Sequence, residues 1–114
     1  MARNNKLLKA PPFAIEGTLK LLGANLRTAR LRRNFTIQHV AEMIGTGRRA
    51  IADAEKGKLT TGVGIYAGLL WAFDLLEQLE DVASPLKDEE GQALALLKEG
   101  KRARQRDGGV DNDF

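Results

Sequence analysis

Residues 36–57 have the sequence TIQHVAEMIGTGRRAIADAEKG, which is the part of the chain that indicates its fold most clearly. Val40 and Ile44 are one helical turn apart before its central glycines, and Ile51 and Ala54 are similarly spaced after them. Apolar residues at this spacing form the inward face of an amphipathic helix. The stretch therefore predicts two short helices that pack against each other across a turn.

The residues at the helix ends fit this prediction. Thr36 precedes the first helix, where a side-chain oxygen can accept a hydrogen bond from a free backbone amide. Gly45 follows that helix and can adopt the positive φ that a tight turn requires. Ala41 is small, which allows two helices to cross closely. Helices joined in this way form the helix-turn-helix, whose second helix binds the DNA major groove.

An arginine pair opens the second helix, whose first residues lie nearest the bases in such a motif. We expect Arg48 and Arg49 to contact guanine, because a guanidinium matches O6 and N7. Asp53, one turn later, accepts from cytosine or orients Arg49, and Gly47 allows close backbone approach. A solvated charged face on an ordinary helical hairpin is the alternative. The predicted outward face consists of Arg48, Arg49, Ala52, Asp53 and Lys56.

The charge distribution supports a phosphate-binding surface in the same part of the chain. Residues 1–58 contain twelve Lys or Arg and four Asp or Glu, whereas residues 59–99 contain two and eight. Positive charge around a groove-reading helix attracts phosphates. The acidic middle is expected to face away from DNA. The predicted phosphate contacts are Arg32, Ile37, Gln38, Lys56 and Lys58, with backbone amides serving near Ile37 and Gln38.

Length and composition predict a small all-α protein. The 114 residues are enough for one core, and the absence of cysteine excludes disulfide scaffolds, thiolate zinc fingers and cysteine nucleophiles. We expect an N-terminal arm over residues 1–14, a five-helix domain over 15–84, and a C-terminal extension over 85–114. The helices are predicted at 16–33, 36–44, 48–56, 63–73 and 75–82. Residues 88–104 are expected to form a frayed helix, and 105–112 to be disordered.

The stretch from about residue 22 to residue 82 resembles the XRE family of helix-turn-helix regulators, which share the fold of the Cro and lambda repressors. The resemblance implies a lambda-repressor-like domain and an ion pair between Arg30 and Glu55. The chain departs from the family pattern at Ile37, at Thr46-Gly47 and at Ala54. The positions that match the pattern are Thr36, Ala41, Gly45, Ile51, Glu55 and Gly57.

Within that family the chain looks most like the HipB-type antitoxins, through its lead-in over 11–16, its arginine run over 27–33 and its apolar helix over 64–71. The resemblance implies a homodimeric repressor that binds operator DNA, represses its own operon and holds a HipA-like kinase toxin inactive. Residues 63–73 are apolar on nearly all sides, which favours a bundle core or a dimer contact. The predicted dimer interface comprises Trp71, Leu75, Leu76 and Leu79.

Two other functions are compatible with the sequence. One is a stand-alone regulator of a phage or mobile element, and the other is a protein-interaction module without specific DNA binding. We predict neither an enzyme nor a cofactor or metal site, because the single histidine, His39, has no nucleophile or second ligand near it in the pattern. Neither a membrane span nor a signal-peptide stretch is predicted, so the expected location is the cytoplasm.

Overall fold

The computed structural model describes residues 5–109, and this part of the chain contains helices and connecting segments without strands. This agrees with the predicted all-α class. It divides into two compact units, one ending at Leu79 and the other beginning at Glu80. The elements are α1 (Lys6–Lys9), α2 (Phe13–Arg32), α3 (Ile37–Ile44), α4 (Arg48–Glu55), α5 (Val63–Ala72), a 3₁₀ helix (Leu76–Asp81) and α6 (Glu89–Gly109).

The N-terminal region is more helical than the predicted arm. Asn5 caps the single turn α1 by accepting a hydrogen bond from the Leu7 amide, and α2 begins directly after Pro12. Proline ends one helix and is compatible with the start of another, because only a helix interior needs its missing amide. The first long helix therefore starts three residues earlier than predicted. It ends at Arg32, two residues before the left-handed Asn34, which has φ 58°.

The two helices predicted from residues 36–57 are present as α3 and α4. The Thr36 hydroxyl accepts a hydrogen bond from the His39 amide at 3.0 Å, as expected for a cap. Gly45 has φ 88°, the left-handed conformation that the turn was predicted to need. Ala41 is buried in the crossing between the helices. The local pattern thus determines both helices and the turn between them.

The core of the first unit lies between α2, α3, α4 and α5. Phe35, in the connection after α2, packs its ring 6.4 Å from that of Phe73. Leu75 and Leu79 are partly buried against the same core. The buried apolar residues are Leu26, Val40, Ala41, Ile51, Ala54, Tyr66, Leu69, Leu70 and Phe73.

The predicted fifth helix differs from the structure. The chain adopts φ 61° at Asp74 and continues as a 3₁₀ helix rather than an α-helix. A 3₁₀ helix has three residues per turn, so residues three apart, such as Leu76 and Leu79, share one face. Leu79 packs partly buried against the core, whereas Leu76 is exposed and Val82, which follows the end of this helix, is exposed as well.

The C-terminal extension also differs from its prediction. Helix α6 is continuous to Gly109, although residues 105–112 were expected to be disordered. Its many Ala, Leu, Gln, Glu, Lys and Arg residues favour a helix strongly enough to outweigh Gly91 and Gly100. Asp88 also accepts a hydrogen bond from the Gly91 amide at 2.9 Å, which caps the start. The remaining three positions, 110–112, lie outside the described residues.

Within residues 5–109, no helix is both long enough and apolar enough to cross a lipid bilayer.

Candidate nucleic-acid interface

The N-terminus of α4 presents two arginines to solvent. Its N-cap is Gly47, which has no side chain to accept from the first amides of the helix. Arg48 and Arg49 follow directly and are exposed, with the Arg49 side chain 87% accessible. The positive end of the helix dipole adds to their charge. This end of α4 therefore favours an anionic or hydrogen-bond-accepting ligand.

A groove of about 950 Å³ runs beside this helix end. It lies where the C-terminal end of α2 meets the first turns of α3 and α4, so two helix N-termini point toward one surface. Free backbone amides at helix N-termini bind phosphates and other anions. The lining residues are Arg30, Leu31, Phe35, Thr36, Ile37, Gln38, Gly47, Arg48, Arg49 and Ala52.

Five of the predicted contact residues meet at this groove: Ile37, Gln38, Gly47, Arg48 and Arg49. Two of them have constrained side chains. Ile37 packs against the core, so only its backbone can serve a phosphate. The Gln38 amide donates a hydrogen bond to Glu42 at 2.7 Å, which holds that side chain along α3.

Asp53 is engaged by two cations on the outer side of α4. Its Oδ1 lies 3.1 Å from Lys58 Nζ and 3.9 Å from Arg49 Nε. The Lys58 amide also donates to the Asp53 carbonyl at 3.2 Å. Of the two predicted roles for Asp53, orienting Arg49 fits this geometry better than accepting from a cytosine. Lys58, a predicted phosphate contact, is held in place by the same carboxylate.

The remaining predicted phosphate contacts lie away from the large groove. Lys56 and Lys58 line a second groove of about 300 Å³ together with Lys20 and Glu16. Arg32 is exposed in the last turn of α2, next to the groove-lining Leu31. The basic residues therefore line two grooves on the first unit, and Asp53 links the two grooves through its contacts with Arg49 and Lys58.

The predicted pair of Arg30 and Glu55 is present and buried. The guanidinium donates to both carboxylate oxygens, at 2.5 and 3.1 Å, and the two side chains are 8% and 6% exposed. A third hydrogen bond, 2.9 Å long, runs from Arg30 to the Phe35 carbonyl. The hydrogen bond with Glu55 raises the pKa of Arg30, whereas burial opposes that shift. This arrangement fixes the end of α4, and with it the arginine pair, against α2.

Two glycines that sequence analysis did not assign to the site allow this close packing. A Cβ on Gly23 would lie 2.5 Å from the Glu55 carbonyl oxygen and 2.7 Å from that of Ala54. Gly57 combines φ 71° with backbone contact to Leu19. The sequence alone does not single out Gly23, because Gly17 in the same helix has no atom within 4 Å of its Cβ position.

Arg33 has a structural role that could not be predicted from its place in the arginine run over residues 27–33. It donates hydrogen bonds of 2.9 Å to the carbonyls of Ala29 and Phe73. Its guanidinium carbon also lies 5.4 Å from the centroid of the Phe73 ring. Arg33 therefore joins the end of α2 to the end of α5.

The predicted dimer residues divide into two groups. Leu75 and Leu79 pack partly buried against the core of their own chain. Trp71 is 56% exposed and Leu76 is 37% exposed. Of the four predicted dimer residues, Trp71 and Leu76 are therefore the two with exposed apolar side chains that a second molecule could contact.

No protein-family model matches the chain, and no curated protein is significantly similar to it.

Proposed function

We propose that the chain is a sequence-specific repressor that binds double-stranded operator DNA through α3 and α4, acting as a helix-turn-helix. The observation that carries this proposal is the exposed pair Arg48 and Arg49 at the start of α4, beside a groove where two helix N-termini meet. Such an end fits the DNA major groove, because bases and phosphates there offer acceptors and negative charge.

In this proposal α4 enters the major groove by its first turn. Arg48 and Arg49 donate to guanine O6 and N7, and the absence of a side chain at Gly47 allows the backbone to approach the DNA. Asp53 orients Arg49 from one turn away, at 3.9 Å.

Phosphates on either side of this groove are assigned to two sets of donors. The first is the start of α3, where the backbone amides near Ile37 and Gln38 combine with the helix dipole. The second is the lysine cluster of Lys20, Lys56 and Lys58. Each neutralised phosphate releases counterions, so binding through these residues depends on salt.

A homodimer would present two such helices to adjacent turns of DNA. Recognition helices in dimers of this kind lie about 34 Å apart, so the two-fold contact must avoid α4. The exposed side chains of Trp71 and Leu76 supply an apolar surface elsewhere on the first unit. We assign the dimer contact of the DNA-bound form to this surface.

We further propose that the partner of the repressor is a HipA-like kinase toxin, on the resemblance described above. The test is native mass spectrometry of the tagged chain purified from cells that express it with its neighbouring genes. A stoichiometric kinase-sized partner is expected. A chain that purifies alone and still binds its operator would identify a stand-alone regulator instead.

DNA binding is tested by selection from random double-stranded DNA with the full chain. An enriched sequence with two inverted half-sites is expected, bound at least about 10³-fold more tightly than unrelated DNA at physiological salt. Recovery of no enriched sequence would contradict the proposal and favour a protein-interaction module.

A further inference from the structure

Helix α6 carries an apolar face that its own unit leaves exposed. Leu94 is 57% exposed and Leu97 is 66% exposed, although both lie in the middle of a helix. A groove of about 450 Å³ follows this face toward the C-terminal end of the helix. It is lined by Leu94, Leu97, Lys98, Lys101 and Arg104. The groove thus combines apolar side chains with positive charge at one end.

The order of residues along this face is symmetric. Glu90, Leu94, Leu97 and Lys101 are separated by four, three and four residues. That spacing is the alternation of a coiled-coil seam, and it reads the same in both directions. The two ends differ only in the sign of their charge. Such a face matches a second copy of itself when that copy runs the opposite way.

We propose that α6 pairs in antiparallel orientation with α6 of a second copy of this chain. In this pairing Leu94 packs against Leu97 of the second copy, and Glu90 faces Lys101 of the second copy, at both ends of the contact. A parallel pair would instead oppose like charges at both ends, which destabilises a helix pair. Charge complementarity therefore favours α6 of a second copy as the binding partner, in antiparallel orientation.

The residues flanking the seam favour the same pairing. The helix is capped by Asp88 and starts with Glu89 and Glu90, and its later turns contain Lys98, Lys101, Arg102 and Arg104. An antiparallel pair places the acidic start of each helix beside the basic end of the other. Ala93 and Gly100, on one side of the seam, are small enough to let the helices approach.

Disulfide mapping tests the pairing directly, because the chain has no cysteine of its own. The antiparallel register brings residue 93 of one copy beside residue 100 of the other. Full-length Ala93→Cys and Gly100→Cys chains should cross-link to each other when mixed under mild oxidation. A Cβ at Gly100 meets only the tip of Arg104, at 4.0 Å, so this substitution fits the helix.

Each single variant alone should cross-link slowly, because equivalent residues lie about 10 Å apart along the paired helices. The matched control is a mixture of Ala95→Cys and Arg102→Cys chains, which have the same sequence separation but lie on the opposite face. The proposal would be overturned if either single variant alone, or the control mixture, cross-linked as fast as the mixture of Ala93→Cys and Gly100→Cys chains.

Exchanging the charges at Glu90 and Lys101 distinguishes the antiparallel α6 pair from other contacts of this face. Adding Glu90→Lys to both cysteine chains should slow their cross-linking, and adding Lys101→Glu to both should do the same. A mixture of one Glu90→Lys chain with one Lys101→Glu chain should restore the rate, because every contact then joins opposite charges. Failure of this restoration would overturn the pairing.

The pairing does not rest on DNA binding. All rates are measured without DNA and should be unchanged by Arg48→Ala, so failure here leaves the proposed function intact. The reverse also holds, since a chain without an operator can still show the 93 to 100 cross-link.

Discussion

Arg30 connects the long helix α2 to the end of α4 through a buried ion pair. Removing one partner of such a pair leaves a desolvated charge, which costs about 3 to 5 kcal/mol. We expect Arg30→Ala to lower the free energy of unfolding by that amount in urea denaturation. Arg27→Ala, three residues earlier and exposed, is the matched control and should change it by less than about 0.5 kcal/mol. Equal effects of the two variants would contradict the assigned role.

Substitution of Lys58 tests whether the lysine cluster of Lys20, Lys56 and Lys58 binds phosphate. If Lys58 neutralises one phosphate, Lys58→Ala should weaken binding to specific and random DNA alike. The slope of log affinity against log salt should fall by about 0.9. Fluorescence anisotropy over a salt series measures both effects. A loss confined to the selected operator would show that Lys58 acts on α4 through Asp53 rather than on phosphate.

Gly23 sets the distance between two elements, α2 and α4. Gly23→Ala places a Cβ against two backbone carbonyls that cannot move separately from α4, and we expect a loss of about 1 to 3 kcal/mol in stability. Gly17→Ala is the control in the same helix, with no atom within 4 Å of the new Cβ. It should stabilise the protein by up to about 1 kcal/mol through helix propensity. Thermal melts of both variants decide, and destabilisation by Gly17→Ala would refute this explanation.

The elements that the sequence predicted best are those determined locally. Helices α3 and α4 follow from apolar spacing, a threonine cap and a turn glycine, all within residues 36–57. The ion pair of Arg30 and Glu55 was predicted from the resemblance to a family. Its burial, and the hydrogen bond from Arg30 to the Phe35 carbonyl, are seen only in the structure. The 3₁₀ helix was not predicted because it follows a positive φ at Asp74, a conformation that is uncommon even for aspartate, although aspartate adopts it more often than most residues.

The partly predicted site shows the same division. The sequence predicts that Arg48 and Arg49 are exposed, because they belong to the outward face that remains when Ile51 and Ala54 point inward. It does not show that the first turns of α3 and α4 open into one groove, because that depends on the packing of α2 across Gly23. Lys56 was predicted on the outward face of the second helix with Arg48 and Arg49, whereas in the structure it lines the other groove.

At the scale of the whole molecule, the exposed Trp71 tests the DNA-bound dimer. Trp71→Asp should keep the fold, because the side chain is more than half exposed, but it should weaken binding to an operator with two half-sites. A loss of at least tenfold is expected, with affinity for one isolated half-site unchanged. Leu21→Asp, an exposed position on α2, is the control. Unchanged affinity of Trp71→Asp for the full operator would contradict this dimer contact.

Arg48 and Arg49 are proposed to contact DNA bases, and their substitution separates base recognition from general attraction to DNA. Anisotropy titrations compare Arg48→Ala, Arg49→Ala and wild type on the selected operator and on a scrambled duplex at one salt concentration. The binding free energy of each variant for the operator should be weaker than that of wild type by about 1 to 3 kcal/mol. Its binding free energy for the scrambled duplex should change much less. Arg102→Ala removes the same charge from α6 and should leave this difference unchanged. Equal losses on both duplexes for the arginine variants would contradict the account.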